Sequence, residues 1–275
     1  MGISTVHFDY LRKLMRTHTA IVLDEGKEYI AESRLASLVY DEGFGSVDDL
    51  FFVLRESNFS SLHRRVVNAM TNNETWFFRD VVPFEALRKA IIPELMVKRA
   101  AERTLRIWSA ACSSGQEPYS VVMMLRTDFP ELTGWKVQVV ATDVSHAVLE
   151  RAQRGRYSQL EVNRGLPIPL LKRYFRQDGL DWLIADEIKS QVEFRDLNLS
   201  EPWALMPVVD VVLIRNVLIY FDVPTKQDIL GRVRRQMMPD GFMLMGSAET
   251  TLNLDSSFER VQFESTAYYR PTSQG

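Results

Sequence analysis

The sequence predicts an α/β protein in which an all-helical segment precedes a parallel, helix-covered sheet. Three observations carry that reading. Residues 1–80 show apolar residues spaced by three and four, with no strand-like alternation. After residue 84, short apolar runs alternate with helical patterns. Between about 174 and 195, three short strand-like runs separated by turns interrupt this rhythm and predict a small inserted antiparallel β subdomain.

In the first segment, FDYLRKLMRTHTAI, SRLASLVYDEG, SVDDLFFVLRES and SSLHRRVVNAMT each read as an amphipathic helix. Ser46 and Ser60 stand where N-caps belong, and Gly43 and Gly45 mark a stop. The boundary to the second domain is expected near 80–85, where Pro83 follows an aromatic stretch, giving domains of 1–80 and 81–275. Helix FEALRKAIIPELMVKRA then leads into strand LRIWSAA. Helix EPYSVVMMLRTDF, strand KVQVVATD and helix SHAVLERAQRG, starting at Ser145, follow. Beyond the insertion come strand VDVVLIRN, helix TKQDILGRVRRQMM, a PDG turn at 239–241, strand FMLMGS and a last strand QFESTAYYR. A run as apolar as VDVVLI suits burial on both faces of a sheet.

With 275 residues the chain is long enough for one large or two smaller domains. A hydrophobic fraction of 46% and a charged fraction of 25% place it among soluble globular proteins. It has no apolar run of the ~18 residues a membrane span needs and no signal-peptide core, so a cytoplasmic protein is expected. MGISTV fits a myristoylation pattern poorly. A single cysteine, Cys112, excludes an intrachain disulfide, and the four histidines lack metal-ligand spacing, so no metal is expected. The net charge of −3 argues against general nucleic-acid binding.

Open parallel sheets bind ligands at the carboxyl ends of their strands. The first strand ends in SAACSSGQEPYS, which lacks the GxGxxG of a diphosphate cradle but flanks Gly115 with small residues. Glu117 is expected at a helix N-terminus, with Pro118 at the first helical position, where it either receives an ammonium group or merely complements the helix dipole. Asp143, ending the second strand, suits ribose hydroxyls or, equally, the N-cap of the next helix. A nucleoside without a diphosphate fits both, and S-adenosylmethionine (SAM) is the common one. The stretch NNETWFFRD, at 72–80, sets Trp76, Phe77 and Phe78 beside Asn73, Thr75 and Arg79, which suits either a domain interface or a ligand site.

NNETWFFRD, WSAACSSGQEPYS, ATDVSHAVLERAQRGRY and LIRNVLIYFD, in this order, closely resemble the chemotaxis-receptor methyltransferases, the CheR family. The resemblance covers nearly the whole chain. It implies a Rossmann-like, SAM-dependent methyltransferase sheet behind an N-terminal helical domain. It also implies methylation of glutamate side chains on the cytoplasmic helical region of membrane chemoreceptors, giving methyl esters and S-adenosylhomocysteine (SAH). Positions matching the family's cofactor contacts are Asn73, Thr75, Arg79, Glu117, Asp143, Asn198, Leu199, Asn216 and Val217. Arg79 and Tyr220 are the expected catalytic residues, holding the substrate carboxylate, and the three aromatics are expected to pack the interface. A basic helix carrying His63, Arg64 and Arg65 is expected to meet the acidic receptor, with the enzyme monomeric. The turn RQDGLD is shorter than in members that grip a receptor's C-terminal pentapeptide, so tether dependence is not expected. Cys112 reads as core. A SAM-binding sensor without turnover, a methyltransferase for another substrate and a nicotinamide dehydrogenase are the alternatives. The missing glycine fingerprint weighs against the last.

Overall fold

The computed structural model describes residues 2–203 and 206–272. The chain forms two compact units, Met1–Asn72 with Tyr220–Asp222, and Asn73–Ile219 with Val223–Gly275. The division at 72/73 lies eight residues before the expected 80/81, and NNETWFFRD belongs to the second unit except for its first residue.

The first unit is helical: α1 (Thr5–Thr19), α2 (Glu28–Asp41), α3 (Val47–Glu56) and α4 (Ser61–Met70). Ser46 caps α3 by accepting from Asp49 N, and Ser60 caps α4, as the serine positions predict. Phe8, Leu11, Met15, Leu35, Leu50, Phe51, Leu54 and Val66 form its core. The structure corrects one residue of the expected basic surface. His63 is 2% exposed. Its Nδ1 accepts from Ser60 N at 3.1 Å, and its Nε2 lies 3.1 Å from the Leu54 carbonyl and 3.0 Å from the Tyr10 hydroxyl. It is a capping residue turned inward by the helical period, while Arg64 and Arg65 on either side of the stripe stay exposed.

The second unit opens with α5 (Val82–Ala86), a π turn (Leu87–Ile91) and α6 (Ile92–Lys98), which together make up the single helix predicted there. Strand β1 (Thr104–Ala110), α7 (Gln116–Asp128), β2 (Lys136–Asp143) and α8 (His146–Arg154) follow. Then come β3 (Arg156–Ser158), α9 (Gln159–Asn163), α10 (Ile168–Tyr174), β4 (Phe175–Asp178), β5 (Asp181–Ile184), α11 (Asp186–Lys189) and β6 (Val192–Asp196). Strand β7 (Val209–Ile214), α12 (Val223–Gln236), β8 (Met237–Met245), β9 (Phe258–Phe263) and β10 (Thr266–Pro271) complete it. The main sheet has the order β6-β2-β1-β7-β8-β10-β9, parallel through its first five strands and antiparallel from β8 onward. All six residues of β7 are buried. Its Asp210 is held inside by Arg99 Nε at 2.7 Å and Arg106 N at 2.8 Å.

The small antiparallel sheet exists, but its third strand is not the one expected. Its order is β3-β5-β4, so residues 156–158 supply the third strand. Residues 192–196 instead join the main sheet beside β2. One helical turn at α11 redirects the chain, and Phe194 then packs edge-on against Tyr119, with centroids 5.6 Å apart. Strand QFESTAYYR is likewise two strands, because Glu264 takes a left-handed φ of 48° and reverses the chain into the β9–β10 hairpin. The PDG segment bulges within β8 rather than ending a helix. A Cβ on Gly241 would sit 2.9 Å from the Asp210 carbonyl oxygen. Pro118 stands third in α7, not first, since the helix begins at Gln116.

The aromatic stretch builds the core of its own unit. Phe77 is fully buried, edge-on to Tyr157 at 5.0 Å and to Phe175 at 5.6 Å between centroids. Phe78 meets Phe84, and its N–H donates to Ser120 Oγ at 3.0 Å. Trp76 is flanked by two guanidinium groups, Arg164 at 3.9 Å and Arg79 at 4.3 Å from its ring centre. Phe77→Ala is predicted to destabilise the protein by about 3–5 kcal/mol, read as a shifted urea midpoint.

Candidate active site at the strand ends

Four of the residues predicted to hold a ligand sit at or beyond the carboxyl ends of four adjacent strands. Asn198 follows β6, Asp143 ends β2, Glu117 lies beyond β1, and Asn216 follows β7. The chain leaves β1 toward β2 on one side, and β7 lies on the other, so the β1/β7 edge is the topological switch point of the sheet.

Two polar networks hold Asp143 and Glu117 in place. In the first, Ser113 N donates to Asp143 Oδ2 at 2.9 Å, and Ser113 Oγ donates to the Asn73 carbonyl at 2.7 Å. Asp143 Oδ1 accepts from Ser145 N at 2.9 Å, where the chain turns into α8. The carboxylate thus closes the turn before α8 without being its N-cap, which is Ser145, and still has acceptor capacity, since each carboxylate oxygen takes about two donors. Burial pushes the Asp143 carboxyl above the ordinary aspartate range, against the pull of the surrounding backbone N–H donors. Burial likewise drives the Cys112 thiol well up, as a core residue requires.

In the second network, Glu117 Oε1 accepts from Ser109 Oγ and Oε2 pairs with Arg215, each at 2.8 Å. Arg215, 5% exposed, also donates at 2.8 Å to the Arg79 carbonyl and to Asp80 Oδ2. This residue was missed in the sequence. It stands in LIRNV immediately before Asn216, and only the signal of a cation ending an apolar strand could have found it. Arg79 itself donates from Nη1 to the Glu74 carbonyl at 2.9 Å. Asn198 closes an Asx turn onto Ser200 N at 3.1 Å, and Leu199 beside it is buried. Thr75 is partly buried within the aromatic stretch.

Tyr220 belongs to the helical unit, whereas the other predicted site residues belong to the second. Its hydroxyl accepts from Asn72 Nδ2 at 2.6 Å, which leaves its own proton to donate.

The strand ends are strained. Ala111, Ser113 and Asn216 adopt positive φ of 55°, 49° and 59°. Such geometry costs on the order of 1–3 kcal/mol per residue and gathers at functional sites. The buried atoms Ser145 Oγ, Arg79 Nε and Arg215 Nε have no hydrogen-bond partner among the described residues. Small side chains around Gly115 and partnerless donors beside two acids fit a nucleoside bearing an amino-acid end. A cavity of about 490 Å³ lined by Phe129, Leu132 and Trp135 holds none of these residues and lies at the amino end of β2. Its Arg126 is engaged by Glu187, and no convergent strand-end donors reach it.

Residues 73–267 match the family described as CheR methyltransferase, SAM binding domain, and residues 7–71 match the CheR methyltransferase all-alpha domain. The chain belongs to the CheR methyltransferase family. It is 40% identical to "Chemotaxis protein methyltransferase 1" of Pseudomonas aeruginosa, over 98% of this chain and 99% of that one. It is 38% identical to "Chemotaxis protein methyltransferase Cher2" of Pseudomonas putida over 95% and 96%. It is 35% identical to "Chemotaxis protein methyltransferase" of Vibrio parahaemolyticus over 98% of both. The two family segments meet at 71/73, where the structure divides.

Arg215→Met is predicted to cost about 3–5 kcal/mol of stability by leaving Glu117 buried without its cation. Adding Glu117→Gln is expected to recover part of that loss in the same urea titration.

Proposed function

We propose that this protein transfers a methyl group from SAM to glutamate side chains of chemoreceptors, with the nucleoside lying across the ends of β2, β1 and β7. The observation that carries this reading is the placement of Asp143, Glu117 and Asn216 at or just beyond the carboxyl ends of the neighbouring strands β2, β1 and β7, in a chain belonging to the CheR family. When bound, SAM supplies an electrophilic methyl that a carboxylate oxygen displaces directly.

The residues have distinct tasks. Asp143 accepts from the ribose hydroxyls, and Glu117, balanced by Arg215, accepts from the ammonium of the amino-acid end. Asn73, Thr75, Asn198, Leu199, Asn216 and Val217 frame the nucleoside. Arg79, steadied on Trp76, orients the incoming carboxylate. A glutamate of ordinary pKa near 4.3 is ionised at neutral pH, so no general base is needed. Catalysis then rests on alignment and exclusion of water, and orientation of this kind is worth roughly 7–11 kcal/mol.

Exposed Arg64 and Arg65 on α4 support encounter with an acidic helical receptor, although Arg65 is partly engaged by Glu42. No helix of the described residues is long and apolar enough to cross a membrane. The enzyme acts as a cytoplasmic monomer on the receptor's cytoplasmic region, without a pentapeptide tether and without nucleic acid or metal.

The test is transfer of labelled methyl from SAM to purified receptor cytoplasmic domains, with base-labile release of methanol marking an ester. SAM binding without any transfer to receptors would instead favour a sensor. Arg79→Ala is predicted to lower transfer by on the order of 100-fold. Asp143→Ala is expected to weaken SAM binding by about 1–3 kcal/mol. Because its carboxyl titrates above the ordinary value of about 3.9, SAM affinity should be full above that raised pKa and fall as pH drops through it. Asp143→Asn should flatten that profile in calorimetric titrations.

A further inference from the structure

A carboxylate beyond β8 gathers the backbone of the loop after β7. Glu249, 9% exposed, follows β8 in the turn GSAET. Its Oε1 accepts from Val217 N at 2.9 Å, Leu218 N at 2.7 Å and Ile219 N at 3.4 Å. Its Oε2 accepts from Asn216 N and Gly246 N, both at 2.7 Å. Successive N–H groups after a left-handed residue form a concavity that binds anions, and here the protein's own side chain fills it. The left-handed turn at Asn216, φ 59°, lets the amides of residues 216–219 converge on this one carboxylate.

We infer that Glu249 is a positioning residue for methyl transfer. It locks the loop Asn216–Ile219 so that Asn216 and Val217 present a fixed edge to the nucleoside. The inference rests on the proposed site at the strand ends. An amide at this position replaces one acceptor oxygen with N–H groups that face N–H groups, so the loop is released while the sheet beneath it stays paired. Gly246 offers an independent way to disturb the same lock. A Cβ there would lie 2.7 Å from Glu249 Oε2, 2.8 Å from Asn216 Nδ2 and 2.9 Å from Asn216 N.

The experiment compares wild type, Glu249→Gln, Glu249→Asp and Gly246→Ala in SAH calorimetry, receptor methylation and amide hydrogen exchange. Expected for Glu249→Gln and Gly246→Ala is SAH affinity at least tenfold weaker, with faster exchange at 216–219 and unchanged exchange in β1 and β2. The shorter carboxylate of Glu249→Asp should restore part of the affinity, which a purely structural loss would not show. Wild-type affinity in either loop variant with 216–219 exposed would overturn the inference, as would exchange accelerated equally throughout the sheet. Failure of wild type itself to bind SAH would count against the proposed site instead.

Discussion

A guanidinium buried where the central strand ends organises this molecule. Arg215 reaches Glu117 on α7 and, at Arg79 and Asp80, the corner before α5, tying two distant chain segments to the end of β7. Ions in such a place are costly to desolvate and are worth keeping only when geometry and hydrogen bonds repay the cost. Here the return is placement. The turn after β1, the corner at Phe78–Val81 and the loop after β7 all carry left-handed residues, and each needs an anchor.

The sheet gives these anchors their address. Since β2, β1 and β7 are neighbours, their carboxyl ends lie side by side, and residues more than a hundred positions apart in sequence meet in one row. Each strained turn is fastened by a group from the next strand. Asp143 takes Ser113 N, Arg215 takes the Arg79 carbonyl, and the turn after β8 takes the loop after β7. A methyl donor lying across such a row meets groups already held in position, which is the main thing an alignment-driven methyl transfer requires.

Much of this was legible in the sequence, for identifiable reasons. The helical half, the serine caps and the buried β7 follow from local pattern, and Asp143 at a strand end and Glu117 at a helix start stand where the pattern locates them. What was not legible depended on partners distant in the chain. Residues 192–196 alternate like a hairpin strand, yet pair in parallel with β2, because nothing local distinguishes the two. His63 looks like part of a basic patch until the helical phase turns it onto Leu54 and Tyr10. Arg215 and Asp210 sit in or beside an apolar strand, and only the three-dimensional positions of Glu117 and Arg99 explain their charges.

The most direct measurement is backbone NMR of the full chain titrated with SAH. Shift changes concentrated at 111–117, 143–145, 197–199 and 215–219 are the expected result. Changes confined to the cavity around Phe129 and Trp135, with the carboxyl ends of the strands silent, would refute a nucleoside site on that row.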